Sequence, residues 1–145
     1  FGEIDVRCHL HRFGSKYASE INRLALSYFE AIDHNLNLLD PIKSCVYSIP
    51  PPVRKNLVKE NRLYPFNGSD EERKEYTLTM NQKLRELCST YGHLFFDVYN
   101  ICCDEEGYLN MAVSDGYMHI HRAAPISQFI RAHIRPANWK QEISD

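Results

Sequence analysis

Residues 69–99 constrain the fold most, because they carry a complete helix with its start and stop signals, followed at once by a strand. Ser69 and Glu72 form a capping-box pattern, in which a hydroxyl and a carboxylate each take an amide N–H that the first helical turn leaves unpaired. Tyr76, Met80, Leu84, Leu87 and Tyr91 then recur on one face, and Gly92 supplies the residue that commonly ends such a helix. The next run, residues 94–99 (Leu-Phe-Phe-Asp-Val-Tyr), is too continuously apolar for a strand with one face in water. A long helix feeding a strand buried on both faces predicts an α/β arrangement.

The remaining segments extend that pattern. Residues 1–8 alternate weakly and read as a short strand ending in polar side chains. Tyr17, Ile21, Leu24, Tyr28 and Ile32 recur at helical spacing, with Ser15 after Gly14 as N-cap and Asn35 with Asp40-Pro41 as the stop. A β-leaning run over residues 43–49 is halted by Pro50-Pro51-Pro52, which cannot donate to a sheet ladder. Residues 53–68 read as a loop, with Arg54, Lys55 and Lys59 as solvated charge. Asp104-Glu105-Glu106-Gly107 reads as a turn, and a last helix is expected over residues 125–134 with Pro125 at an early position. The order strand, helix, strand, helix, strand, loop, helix implies parallel strands joined by crossovers. Three strands make a thin sheet, so a preceding segment or a partner chain is expected to complete it. A start at Phe1, inside strand-like sequence and without Met, reads as the continuation of a longer chain.

Composition excludes several classes of function. The 145 residues suit a single domain, and 43% hydrophobic content suffices for a core. A formal net charge of −2 with 25% charged residues offers no basic stripe for nucleic acid. No apolar run is long enough to span a bilayer, and Glu3, Asp5 and Arg7 interrupt the apolar pattern that a signal peptide would need. The five cysteines show no C-x-x-C pair and are odd in number, which argues for reduced structural thiols and a cytoplasmic setting. His9 and His11 have no third ligand at metal-binding spacing, so neither a metal nor a cofactor is expected. No glycine-rich phosphate loop follows a strand, which argues against a nucleotide-binding domain.

In open α/β sheets, ligands collect beyond the carboxyl ends of the strands. Two segments expected there are rich in acid/base side chains: Asp5, Arg7, His9 and His11 in one, and Asp115, His119 and His121 in the other. Glu3 and Asp5 would share one strand face, where two carboxylates need a basic neighbour such as Arg7. Asp5 could organise the loop by hydrogen bonds or act directly, and Asp115 could simply open a turn with Gly116. The tyrosines at helical spacing (Tyr17, Tyr28, Tyr76, Tyr91) read as core packing.

This order of features resembles the SGNH/GDSL hydrolase superfamily from its third sequence block onward. Phe1-Gly2-Glu3-Ile4-Asp5 resembles the G-x-N-D block, residues 46–52 resemble the next strand with its terminal prolines, and residues 76–99 are similar to the helix and strand before the catalytic loop. Ser114-Asp115-Gly116-Tyr117-Met118-His119-Ile120 resembles the D-x-x-H block. The resemblance covers nearly the whole chain as one partial domain, residues 1–145. It implies a three-layer α/β/α, flavodoxin-like fold with N-terminal strands outside this chain. It also implies ester hydrolysis or acyl transfer on a small-molecule or carbohydrate ester, with Ser as nucleophile, His119 as base and Asp115 orienting the imidazole. Gly2, Asp5, Arg7, His9 and His121 then become candidates for oxyanion or substrate contact. Three departures stand out. Asp115-x-x-x-His119 is one residue longer than the pattern, which leaves His121 as a second candidate base. Ile4 occupies the position of the Asn donor, so Arg7, His9 or a backbone amide would have to replace it. No Gly-Asp-Ser occurs, since Gly14-Ser15 and Gly68-Ser69 read as helix caps. The alternative is a non-catalytic binding or assembly module that retains the fold.

Overall fold

A computed structural model describes residues 1–36, 44–60, 62–121 and 124–133. It is a mixed helix/strand structure with a two-stranded parallel sheet. Helix α1 spans Tyr17–Leu36, β1 Cys45–Tyr47, α2 Asp70–Tyr91, β2 Leu94–Phe96, α3 Val98–Cys102 and α4 Ala124–His133. The expected stop at Asp40-Pro41, the start of the β1 run at Lys43 and the end of the last helix at Ile134 lie outside the described residues.

Helix α2 forms as its sequence predicts. The Ser69 hydroxyl accepts from Glu72 N at 3.1 Å, the Glu72 carboxylate accepts from Ser69 N at 2.7 Å, and Gly92 ends the helix at φ 76°. Tyr76, Met80, Leu84 and Leu87 are buried, whereas Tyr91 is exposed at the last turn. Strands β1 and β2 pair Cys45 with Leu94, Val46 with Phe95 and Tyr47 with Phe96, and α2 is the connection that parallel pairing requires.

Residues 1–8 are not a strand. A wide helical turn of π type covers Asp5–His9, a 3-10 helix covers Leu10–Lys16, and after a kink at Gly14 (φ 48°) the chain enters α1. Ser15 lies inside the 3-10 stretch, and the α-helix starts at Tyr17. Side chains four apart support the helix, since Glu3 stands 3.4 Å from Arg7 and Asp5 stands 3.1 Å from His9, and along the backbone Val6 N donates to the Gly2 carbonyl at 3.0 Å. Glu3 and Asp5 therefore do not share a face; each pairs forward along the helix. The strand expected over residues 94–99 is also shorter. Asp97 accepts from Asn100 N at 3.2 Å and so caps α3, converting Val98 and Tyr99 to helix.

Two hydrophobic clusters draw on the sheet. Val46 and Phe95 join the cluster that holds Leu10, Ile21, Phe29, Met80 and Leu84 between α1 and α2. Phe96 joins Val53, Val98, Cys102 and Leu109, with Met118, Ile120, Ile126 and Phe129 packed against them. The second cluster thereby anchors the loop that carries Asp115 and His119. Arg54, expected to be solvated, instead pairs with Asp104 (3.0 Å) and Glu106 (2.6 Å) and lies 4.1 Å from the Tyr108 ring centre, fastening the proline-led loop to the turn at Gly107. All five cysteines are free, and Cys8, Cys88 and Cys102 are buried.

Candidate active site

The loop from Ser114 to His121 folds around one carboxylate. Asp115 Oδ1 accepts from Tyr117 N at 2.9 Å and from His119 N at 3.4 Å, while Asp115 N donates to the His119 carbonyl at 3.1 Å. Ser114 bridges to Ile120, His121 N donates to the Val113 carbonyl at 2.8 Å, and Gly116 turns the chain at φ 89°. The left-handed conformation at Gly116 is open to glycine at no steric cost. The closed loop accommodates the additional residue of Asp115-x-x-x-His119, and the two side chains meet: Asp115 Oδ2 lies 2.8 Å from His119 Nδ1.

That contact has chemical consequences. Asp115 is held below the ordinary carboxylate range, first by the hydrogen bond with His119 and then by the Tyr117 amide. An ionised Asp115 can accept from Nδ1–H, and in that tautomer Nε2 is the nitrogen with a free lone pair. Among the described residues, none bonds to His119 Nε2. The His119 side chain is 74% exposed and that of Asp115 32%, so the dyad sits at the surface.

Arg7 is the link between this loop and the N-terminal segment. It is buried, contacts the Met118 sulfur through Nη1, and lies 5.5 Å from the Phe66 ring centre. Gly2 is buried at φ 82°, and a Cβ there would stand 2.7 Å from Ile49 Cδ1, so the chain passes the end of β1 at a distance only glycine allows. Asp5 and His9 pair with each other, and His121 contributes its backbone to the base of the loop while its side chain is exposed; no hydrogen bond links these three to the Asp115–His119 pair. The structure thus brings Arg7 into contact with the dyad's loop, whereas Gly2 packs against Ile49 and Met80.

Three further side chains shape this region and were not singled out from sequence. Asn81, buried on the apolar face of α2, donates to the Ile49 carbonyl at 2.8 Å and accepts from Ile49 N at 2.7 Å, pinning the chain just beyond β1. Ser48 Oγ accepts from Tyr99 N at 3.1 Å, tying the carboxyl ends of both strands together. Arg73, 1% exposed, donates from Nη1 to the Gly68 carbonyl at 2.9 Å and from Nη2 to Asp70. A polar residue interrupting the apolar stripe of α2 was the available signal for Asn81 and Arg73. At the opposite, amino ends of the strands, Ser44 Oγ lies 2.7 Å from His93 Nδ1 and Asp33 Oδ1 lies 3.5 Å from Nε2. His93 packs against Phe29 and Tyr91, so this grouping anchors α1 to the sheet on the side away from the expected ligand crevice.

Beneath the loop lies a small cavity of about 30 Å³, lined by residues that include Glu3, Arg7, Ile49, Pro50, Phe66, Arg73 and Met118. Among the described residues, no group of three or more His, Cys, Asp or Glu side chains is placed to hold a metal ion, and no helix is long and apolar enough to cross a membrane. No family model, curated protein or solved structure matches this chain.

Proposed function

We propose that this chain carries the acid/base part of an SGNH/GDSL-like hydrolase acting on ester bonds, as an esterase, deacetylase or acyltransferase on a small-molecule or carbohydrate ester. The observation that carries the reading is the 2.8 Å contact between Asp115 and His119. A serine from outside these residues attacks the carbonyl carbon as His119 Nε2 takes its proton; the imidazolium then returns that proton to the leaving alkoxide. Asp115 holds the ring and stabilises its charged form. Arg7, in contact with Met118 of the loop, takes the place of the missing Asn donor in this reading.

In this reading the two strands belong to a larger three-layer α/β/α, flavodoxin-like sheet, completed by a further segment or a partner chain. The presence of a hydrophobic cluster on each side of the sheet supports it. Five unpaired thiols support a reducing, cytoplasmic setting.

A second reading, a non-catalytic binding or assembly module, is favoured by the exposure of His119 and the absence of a bonded partner for Nε2 among the described residues. A fluorophosphonate probe separates the two. The hydrolase reading expects stoichiometric labelling of one serine in the full-length protein, lost in His119→Ala; an unlabelled protein supports the module.

A further inference from the structure

The cavity beneath the Asp115–His119 loop pairs Arg7 with a second buried cation, Arg73, that the proposed mechanism does not use. Two of its lining residues are almost fully buried arginines, Arg7 at 8% and Arg73 at 1% exposure. Both guanidinium groups lie against one ring, 5.5 and 5.1 Å from the centre of Phe66. Arg73 spends its two terminal nitrogens on Gly68 and Asp70, and Arg7 directs Nη1 at Met118. The Nε atom of each is buried without a hydrogen-bond partner. Glu3 Oε1 stands 3.4 Å from Arg7 Nε, within ion-pair range but not in hydrogen-bonding geometry. A buried donor left without an acceptor keeps its full desolvation penalty, the more so when it is charged. Both unpartnered donors belong to side chains that wall the one cavity.

We propose that this cavity binds the carboxylate group of a small acid between Arg7 and Arg73. Size selects the ligand class. A single water needs about 10–15 Å³, so a space of about 30 Å³ matches the two oxygens of a carboxylate head better than the four of a phosphate. Shape and charge agree, since guanidinium groups pair with carboxylates through parallel N–H donors. Ile49, Pro50 and Phe66 line the same space, and an apolar wall strengthens an ion pair beside it. Glu3 is the built-in competitor for Arg7. Its side chain is 40% exposed, so it can turn to solvent as the ligand enters. Met118 places the bound acid one residue from His119. The binding site stands on the arginines alone; only its role in turnover rests on the hydrolase reading, in which the released acid is itself a carboxylate.

The test is a titration of the ¹⁵N-labelled protein with sodium acetate, sodium phosphate and sodium chloride at matched ionic strength, reading the arginine Nε–Hε signals. Acetate is expected to shift the Arg7 and Arg73 signals saturably, while phosphate and chloride leave them in place. Arg7→Lys, which lacks Nε, is expected to weaken acetate by about tenfold or more, and Glu3→Gln to tighten it. Shifts no larger with acetate than with chloride would show that the arginines are structural pins and overturn the proposal, as would tighter binding of phosphate. The wild-type titration decides the matter even where a variant fails to fold. It involves no turnover, so its failure and that of the hydrolase reading are separately visible.

Discussion

Asp115 Oδ2 lies 2.8 Å from His119 Nδ1, and the same carboxylate accepts the Tyr117 amide through its other oxygen. One side chain therefore both closes the loop and orients the imidazole. Asp115→Asn keeps the size but offers an amide to Nδ1, which allows the wrong tautomer. With the full-length protein, the variant is expected to lose about 10²- to 10⁴-fold in kcat with little change in KM. An unchanged kcat in steady-state kinetics would remove Asp115 from the proposed mechanism.

Asn81 satisfies both backbone groups of Ile49 inside the core. Asn81→Leu leaves a buried N–H and a buried carbonyl without partners, at about 1–3 kcal/mol each. Chemical denaturation is expected to show a loss of about 2–6 kcal/mol, well beyond the ordinary surface substitution. A loss below about 0.5 kcal/mol, the usual surface range, would mean that the strand end is held some other way.

The Ser69–Glu72 box is local, and its contribution is correspondingly small. Ser69→Ala is expected to cost about 0.5–2 kcal/mol, and Glu72→Gln less, because an amide oxygen can still accept from Ser69 N. Thermal unfolding of the two variants should rank them in that order.

Stability is expected to fall at both ends of the pH scale. Glu60 is held below its usual range by the Phe66 amide, Glu72 by the Ser69 amide, and Asp115 by His119. A carboxyl whose folded value is depressed favours folding fully above its unfolded value of about 4. That contribution is lost as pH falls from there through the folded value, so unfolding should set in below about pH 4. At the other end, burial pushes the Cys88 thiol up to about 11 and the Tyr99 phenol up to about 12. Both favour the folded state while neutral. This contribution is complete below the unfolded values, about 8.5 for a thiol and 10 for a phenol, and is lost as pH rises through the folded ones. Circular dichroism across pH checks both limbs. The same burial predicts that iodoacetamide at pH 8 modifies exposed Cys45 and half-buried Cys103 before Cys8, Cys88 and Cys102.

What was legible in the sequence follows the range of the interactions involved. Helix α2 could be read because Ser69, Glu72, its apolar stripe and Gly92 all act within a few residues. The N-terminal segment was misread because eight residues with weak alternation fit both periods. Its i,i+4 pairs, Glu3 with Arg7 and Asp5 with His9, were present in the sequence but count only once the backbone is helical. Asp97 looked like part of a strand because its capping role depends on where β2 stops. The Asp115–His119 pairing was anticipated as chemistry. Its geometry was not, since only the folded loop shows how Gly116 accommodates the longer spacing. Asn81, Ser48 and Arg73 hold partners far along the chain, beyond the reach of any local pattern.

The central claim is that His119 is the general base of an ester hydrolase. Its most direct test is hydrolysis of a short-chain aryl ester by the full-length protein and by His119→Ala, with matched circular dichroism spectra as the folding control. The account predicts measurable turnover by the wild type and a loss of about 10³-fold or more in kcat in the variant. Equal rates in the two proteins would contradict it.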